Sequence, residues 1–255
     1  MDSLAAVLKR DRLIVGAGVV FVTALAWWYT VDAARGMQGP AMDMGRADAN
    51  AWPVAFLLPL FVMWMVMMIA MMLPSATPMI LTFAAVARNR RMHERPYAGV
   101  TVFAAGYLAV WCGFSVVAAA AQWLLHREAL LSPMMVSSSA LCAGILLLLA
   151  GLFQFTPLKR TCLTRCRAPL EFVMTHWREG RSGAFAMGFE HGLFCTGCCW
   201  ALMALLFVLG VMNLLWIAVL TILVGLEKIL RGRIVLSWAS GALLTLWGLW
   251  LLTRV

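Results

Sequence analysis

The sequence predicts an all-α, polytopic membrane bundle of about seven transmembrane helices, organised as one integral membrane domain over residues 1–255. Three observations carry this. Hydrophobic residues make up 64% of the chain and charged residues 12%, about half the charged share of soluble domains. Mean hydropathy is +0.90, and several apolar runs approach or exceed the ~20 residues that cross a bilayer. The net charge of +9 is gathered in short loops beside apolar spans. That is a topology signal rather than a nucleic-acid footprint, so no nucleic-acid partner is expected.

The expected spans are 13–31, 54–87, 97–124, 136–155, 184–210, 213–228 and 234–252. The first ends in Trp27, Trp28 and Tyr29, an interfacial anchor with no small-residue cleavage site, so it reads as a signal anchor. Basic residues fall at Lys9, Arg10 and Arg12; at Arg88, Arg90, Arg91 and Arg95; at Lys159, Arg160, Arg165, Arg167, Arg178 and Arg181; and at Lys228, Arg231 and Arg233. Sixteen of the twenty basic residues therefore share one side, which puts the N-terminus in the cytoplasm and the C-terminus outside. The span 213–228 is short, and a half-membrane helix there would flip the last segment.

The second span, Val54 to Ala87, is 34 residues, or about 51 Å as a helix. Pro74 and Pro78 interrupt it. A break near Leu73 is expected, with Ser75 and Thr77 bonding the freed carbonyls, and breaks at membrane depth mark binding sites. Met63, Met67 and Met71 form one row on this helix, and Met68 with Met72 a second. Such stripes are core filler as readily as ligands.

The segment GFEHGLFCTGCCWALM, Gly188 to Met203, holds the densest chemistry. At 100° per residue, His191, Cys195 and Cys198 share one narrow face and Cys199 flanks it. Met187 and Met203 extend that face. Gly188 and Gly192 form a small-residue helix contact. A bilayer interior penalises ionisable groups that lack a use or a partner. Imidazole, thiolate and thioether select copper(I) or zinc. Glu190 points about 100° away from His191 and reads as a hard ligand, a proton relay or the partner of Lys228.

The long loop Thr156–Gly183 carries Cys162 and Cys166 among Lys159, Arg160, Arg165 and Arg167, a setting that favours thiolates. An amphipathic surface helix is expected near Glu171–Trp177. Cys112 and Cys142 read as small packed hydrophobes. His93, His126 and His176 read as solvated, Asn213 as a helix cap, and Glu227 with Lys228 as a topology anchor at a helix end. The outside loop after the first span holds Met37, Met42, Met44, Asp43 and Asp48. Thioethers outside, a Met ladder inward, a deep His/Cys site and a cytosolic thiol pair make a soft-ligand track.

The segments MWMVMMIAMMLPSATPM (Met63–Met79), TPLKRTCLTRCRAP (Thr156–Pro169), GFEHGLFCTGCCWALM and GVMNLLWIAVL (Gly210–Leu220) together resemble a bacterial domain-of-unknown-function family. Its members are described as predicted metal-binding integral membrane proteins. The four motifs occur in order over about residues 52–230. The resemblance implies a polytopic inner-membrane protein whose metal is carried by His191, Cys195, Cys198 and Cys199, with Cys162 and Cys166.

The functional expectation is transition-metal handling, copper(I) before zinc, by transport or delivery in the bacterial inner membrane. Its partners are the lipid bilayer and a metal-donor or metal-acceptor protein. Met37, Met42 and Met44 capture; Met63, Met67, Met68, Met71 and Met72 relay; His191, Cys195 and Cys198 hold; Cys162 and Cys166 hand on. The alternatives are a membrane thiol-redox or metalloenzyme-assembly protein, and a structural subunit whose Cys residues pack. No catalytic constellation is present, so an enzyme is not expected.

Overall fold

The computed structural model describes residues 2–37, 53–92, 99–127, 139–230 and 234–254. Among them the chain is helical and contains no strand. The helices are α1 (Asp2–Met37), α2 (Pro53–Met92), α3 (Val100–Arg127), α4 (Ala140–Phe153), α5 (Pro157–Arg167), α6 (Pro169–Thr175), α7 (Gly180–Ala204), α8 (Leu206–Leu209), α9 (Leu214–Ile229) and α10 (Ile234–Leu252).

Among the described residues, five stretches are long and apolar enough to cross a membrane: Arg12–Gly36, Leu57–Arg90, Val100–Leu125, Gly180–Leu209 and Val235–Leu252. A sixth is reached only if α4 and α5, bent by 62° at their junction, count as one span. The expected seven are not reached among the described residues. The α4 helix has 14 residues and α9 has 16, about 21 and 24 Å at 1.5 Å per residue, against a hydrocarbon core of about 30 Å. What ends α4 is local. Thr156 caps α5 by accepting the Lys159 amide at 3.3 Å, and Pro157 occupies the first helical position. The chain therefore starts a new helix rather than lengthening the old one. Asn213 caps α9 as expected, its side chain accepting the Leu215 amide at 3.2 Å.

The break expected at Pro74 and Pro78 does not occur, because α2 runs unbroken through Pro59, Pro74 and Pro78. The cause lies on another helix. Pro74 has no N–H for the Ala70 carbonyl. The Trp27 indole of α1 donates to that carbonyl at 3.1 Å. Ser75 Oγ donates to Met72 O at 2.8 Å and Thr77 Oγ1 to Leu73 O at 3.3 Å. The carbonyl freed by Pro74 is thus satisfied from outside the helix, whereas the two hydroxyls bond carbonyls that no proline frees, contrary to the role expected of them.

The α3 and α7 helices approach until backbone meets backbone. A Cβ on Gly188 would lie 1.9 Å from Phe103 O, and one on Gly106 would lie 2.1 Å from Phe185 O. No other residue type permits this approach. It seats the cysteine-bearing face of α7 directly on α3 and α2. Phe83, Phe103 and Trp177 stack across one end of this unit, with ring centroids 4.5 and 5.6 Å from Phe83.

The Trp27 bond carries a prediction. Trp27→Phe strands a buried carbonyl, which costs about 1–3 kcal/mol of stability in detergent unfolding. In a Pro74→Ala background the new amide serves Ala70 O, and the same substitution should then cost much less. Equal losses in both backgrounds would refute this account of the unbroken helix.

Candidate metal centre

The face singled out on α7 is buried throughout. Met187, His191, Cys195, Cys198, Cys199 and Met203 all lie in the core. Three other elements close over it. The α5 helix crosses at Gly197, where a Cβ would lie 2.8 Å from Cys162 Sγ. One residue on, Cys166 of the same helix lies beside Cys198. From α2, Met72 Sδ lies 4.0 Å from Cys199 Sγ. From α3, Tyr107 Oη lies 3.1 Å from Cys195 Sγ and 3.2 Å from Met72 O. The two cysteine motifs therefore belong to one sulfur cluster. All seven cysteines are free thiols.

The thiols are folded back on their own helix. Cys198 Sγ and Cys199 Sγ donate to Cys195 O at 3.1 and 3.0 Å. Among the described residues no three His, Cys, Asp or Glu side chains are arranged to hold one metal ion. His191 sits in a box of rings, with centroids 5.7 Å from Tyr107, 5.7 Å from Phe172 and 6.4 Å from Phe103. Its Nδ1 is buried with no hydrogen-bond partner.

The remaining singled-out residues are placed as follows. Met63, Met67, Met68, Met71 and Met72 are all buried on α2. Glu190 is half-buried and turns to His176 at 3.4 Å and Arg178 at 3.7 Å. It is not the partner of Lys228. His176 is not simply solvated either, because it ends α6 and stacks on Phe172 at 4.9 Å. Met37 falls in the last turn of α1, so that helix extends further than expected. Met42, Met44, Asp43, Asp48 and His93 lie outside the described residues.

The sequence reading missed the charged core. Glu227 and Lys228 are buried, not a surface anchor. Lys228 Nζ donates to Cys195 Sγ at 3.0 Å and to Ser75 Oγ at 2.8 Å. One position earlier, Glu227 takes Lys159 at 2.7 Å and Ser237 Oγ at 2.9 Å, and its backbone carbonyl takes Arg167 Nε at 2.6 Å. Lys159 also donates to Gln154. Of the cations expected to serve the Cys162/Cys166 pair, Lys159 and Arg167 are thus engaged elsewhere, and Arg160 lies 5.3 Å from the Trp238 ring centroid. The signal available was an acidic and a basic residue directly after the apolar run Leu214–Leu226, together with Gln154 and Ser237 inside other apolar runs.

The chain matches the family described as PpoB2, copper chaperone, over residues 61–251. The chain belongs to this family. The match takes in the whole sulfur cluster and both buried charges. No curated protein and no solved structure matches it. Membership in a copper chaperone family supports a copper-handling role with metal-donor or metal-acceptor partner proteins. The sequence resemblance points to metal binding, and this family names the metal as copper.

A short dithiol-bridging reagent should link Cys166 to Cys198, detected as a cross-linked peptide pair by mass spectrometry, and Cys166→Ser should abolish that pair. Bridges confined to α7 would show that α5 does not bring its thiols to Cys198.

Proposed function

We propose that this family member is a polytopic membrane protein that holds copper(I) as cargo on thiolate and thioether sulfur where α2, α5 and α7 meet, and passes it to a protein partner. The observation that carries the reading is the gathering of Cys195, Cys198, Cys199 and Met72 at one buried point, with Cys162 of α5 against Gly197 and the Lys228 ammonium on Cys195. Soft sulfur ligands select copper(I). Loading releases thiol protons and replaces the S–H bonds that Cys198 and Cys199 make to Cys195 O. Rotation of those two side chains toward their neighbours is the movement that opens the site. Lys228 supplies the positive charge that a bis-thiolate copper(I) centre leaves uncompensated in an apolar interior. His191, buried with an open ring nitrogen, is the further ligand on the same face. Met63, Met67, Met68 and Met71 extend the thioether path along α2 from Met72 over about 13 Å. Cys162 and Cys166 are the exit, on the helix nearest the basic loops.

Membrane insertion is supported by the five long apolar stretches and by large apolar side chains facing outward, among them Val20, Phe21, Val117, Leu149, Leu243 and Leu246. The positive-inside distribution supports a bacterial inner-membrane location with a cytoplasmic N-terminus. Resistance to alkaline extraction from membranes tests the insertion.

Two variants test the copper site by competition with a chromophoric copper(I) chelator under reducing conditions. Cys195→Ser/Cys198→Ser should lose stoichiometric copper, and copper retained by that variant would sink the assignment. Lys228→Met keeps the aliphatic stem and removes the charge. Losing a charge-assisted interaction of about 1.5–3 kcal/mol should weaken copper(I) about 10- to 100-fold. Unchanged affinity would remove Lys228 from the site.

A further inference from the structure

Next to the copper cluster, outside it, a cavity of about 620 Å³ opens where the α4–α5 bend meets α10. Its polar wall includes two buried hydrogen-bond donors without an acceptor. The amide of Gln154 is 1% exposed. Its oxygen takes the Lys159 ammonium, so its nitrogen must face away, and that Nε2 has no partner. Arg167 spends Nε on the Glu227 carbonyl and leaves Nη2 buried without a partner. Arg160 reaches over Trp238 with no carboxylate beside it among the described residues. Buried donors left open in a native structure call for a ligand or water.

The other wall is apolar, with Leu163, Leu170 and Trp238. Charge sets the ligand class. Lys159, Arg160 and Arg167 are opposed by Glu227 beneath and Glu171 on the lining. One positive charge is left, which a single monoanion cancels. A phosphate oxygen accepts from guanidinium and amide donors together, and an apolar wall suits acyl chains.

We infer that this cavity binds the phosphodiester headgroup of a monoanionic glycerophospholipid, with its acyl chains along Leu163, Leu170 and Trp238. Glu171 accepts from the headgroup hydroxyls. The inference rests on the membrane reading proposed above. It gives the α4–α5 bend a lipid to seal it, on the same helix that carries the thiols of Cys162 and Cys166.

The test is native mass spectrometry of the full chain released from bilayers of phosphatidylglycerol and phosphatidylethanolamine in equal amounts. The wild type should retain one phosphatidylglycerol. Arg160→Gln/Arg167→Gln should lower that occupancy about tenfold while copper(I) binding persists. Equal retention of the two lipids, or unchanged occupancy in the variant, overturns the inference. Displacement of the lipid by millimolar inorganic phosphate also overturns it, because the site then belongs to free phosphate. Should the double variant not fold, the exposed Arg160→Gln alone must lower occupancy about threefold, and no change overturns the inference. Alkaline extraction separates the two readings. A chain that washes off membranes refutes membrane insertion, whereas one that stays but shows no lipid preference refutes only the cavity.

Discussion

Two consecutive charged residues at the end of α9 organise the interior. Glu227 and Lys228 are about 100° apart on the helix, so they cannot serve each other's neighbours. Glu227 faces α5 and α10 through Lys159 and Ser237. Lys228 faces α7 and α2 through Cys195 and Ser75. Burying either charge alone would cost several kcal/mol. Each is therefore tolerated only while the elements around it hold their places. The dependence is mutual, because α9 can end inside the protein only if its terminal charges find partners there. That is why a helix too short to cross a bilayer is compatible with this fold.

The sulfur cluster is a product of the same constraint. The Cys195 thiol is held between Lys228 and Tyr107, and Tyr107 in turn reaches Met72 O. That carbonyl also accepts from Ser75, which accepts from Lys228. The ring of contacts joins α2, α3, α7 and α9. It passes through the proline-bearing turn of α2, where a continuous ladder of backbone bonds is not available. Tyr107, Ser75 and Lys228 spend their polar groups here on contacts that tie one helix to the next.

What was legible in the sequence follows from the range of the interactions. The face of His191, Cys195 and Cys198 was readable because helical spacing is local, and the structure buries that face as a unit. The close contact at Gly188 was readable for the same reason. The unbroken α2 was not, because the donor to Ala70 O is Trp27, forty-three residues away. Proline in isolation predicts a break, and only a neighbour of known position can cancel it. Glu227 and Lys228 were misread because a charged pair after an apolar run is also what a membrane boundary looks like. Their partners lie 68 and 33 residues away. The ring box around His191 depends on α3 and α6 and has no signature within the motif itself.

The arrangement of the thiols bears on how a carrier differs from a storage site. A preformed cage of ligands binds metal tightly and releases it slowly. Here Cys198 and Cys199 are each satisfied by the Cys195 carbonyl, so the metal-free cluster is not an array of unsatisfied donors waiting to close. On the proposed copper(I) reading, binding displaces those bonds and release restores them. A net hydrogen bond in proteins is worth about 1 kcal/mol, so two such bonds would shift the exchange by about thirtyfold without blocking it. Ligand exchange between thiols also needs neighbouring thiols on different elements, which Cys162 and Cys166 of α5, beside Gly197 and Cys198 of α7, supply. A cluster that is self-satisfied when empty, sulfur-rich when opened and contiguous with a second thiol pair is suited to passing a soft cation onward rather than keeping it.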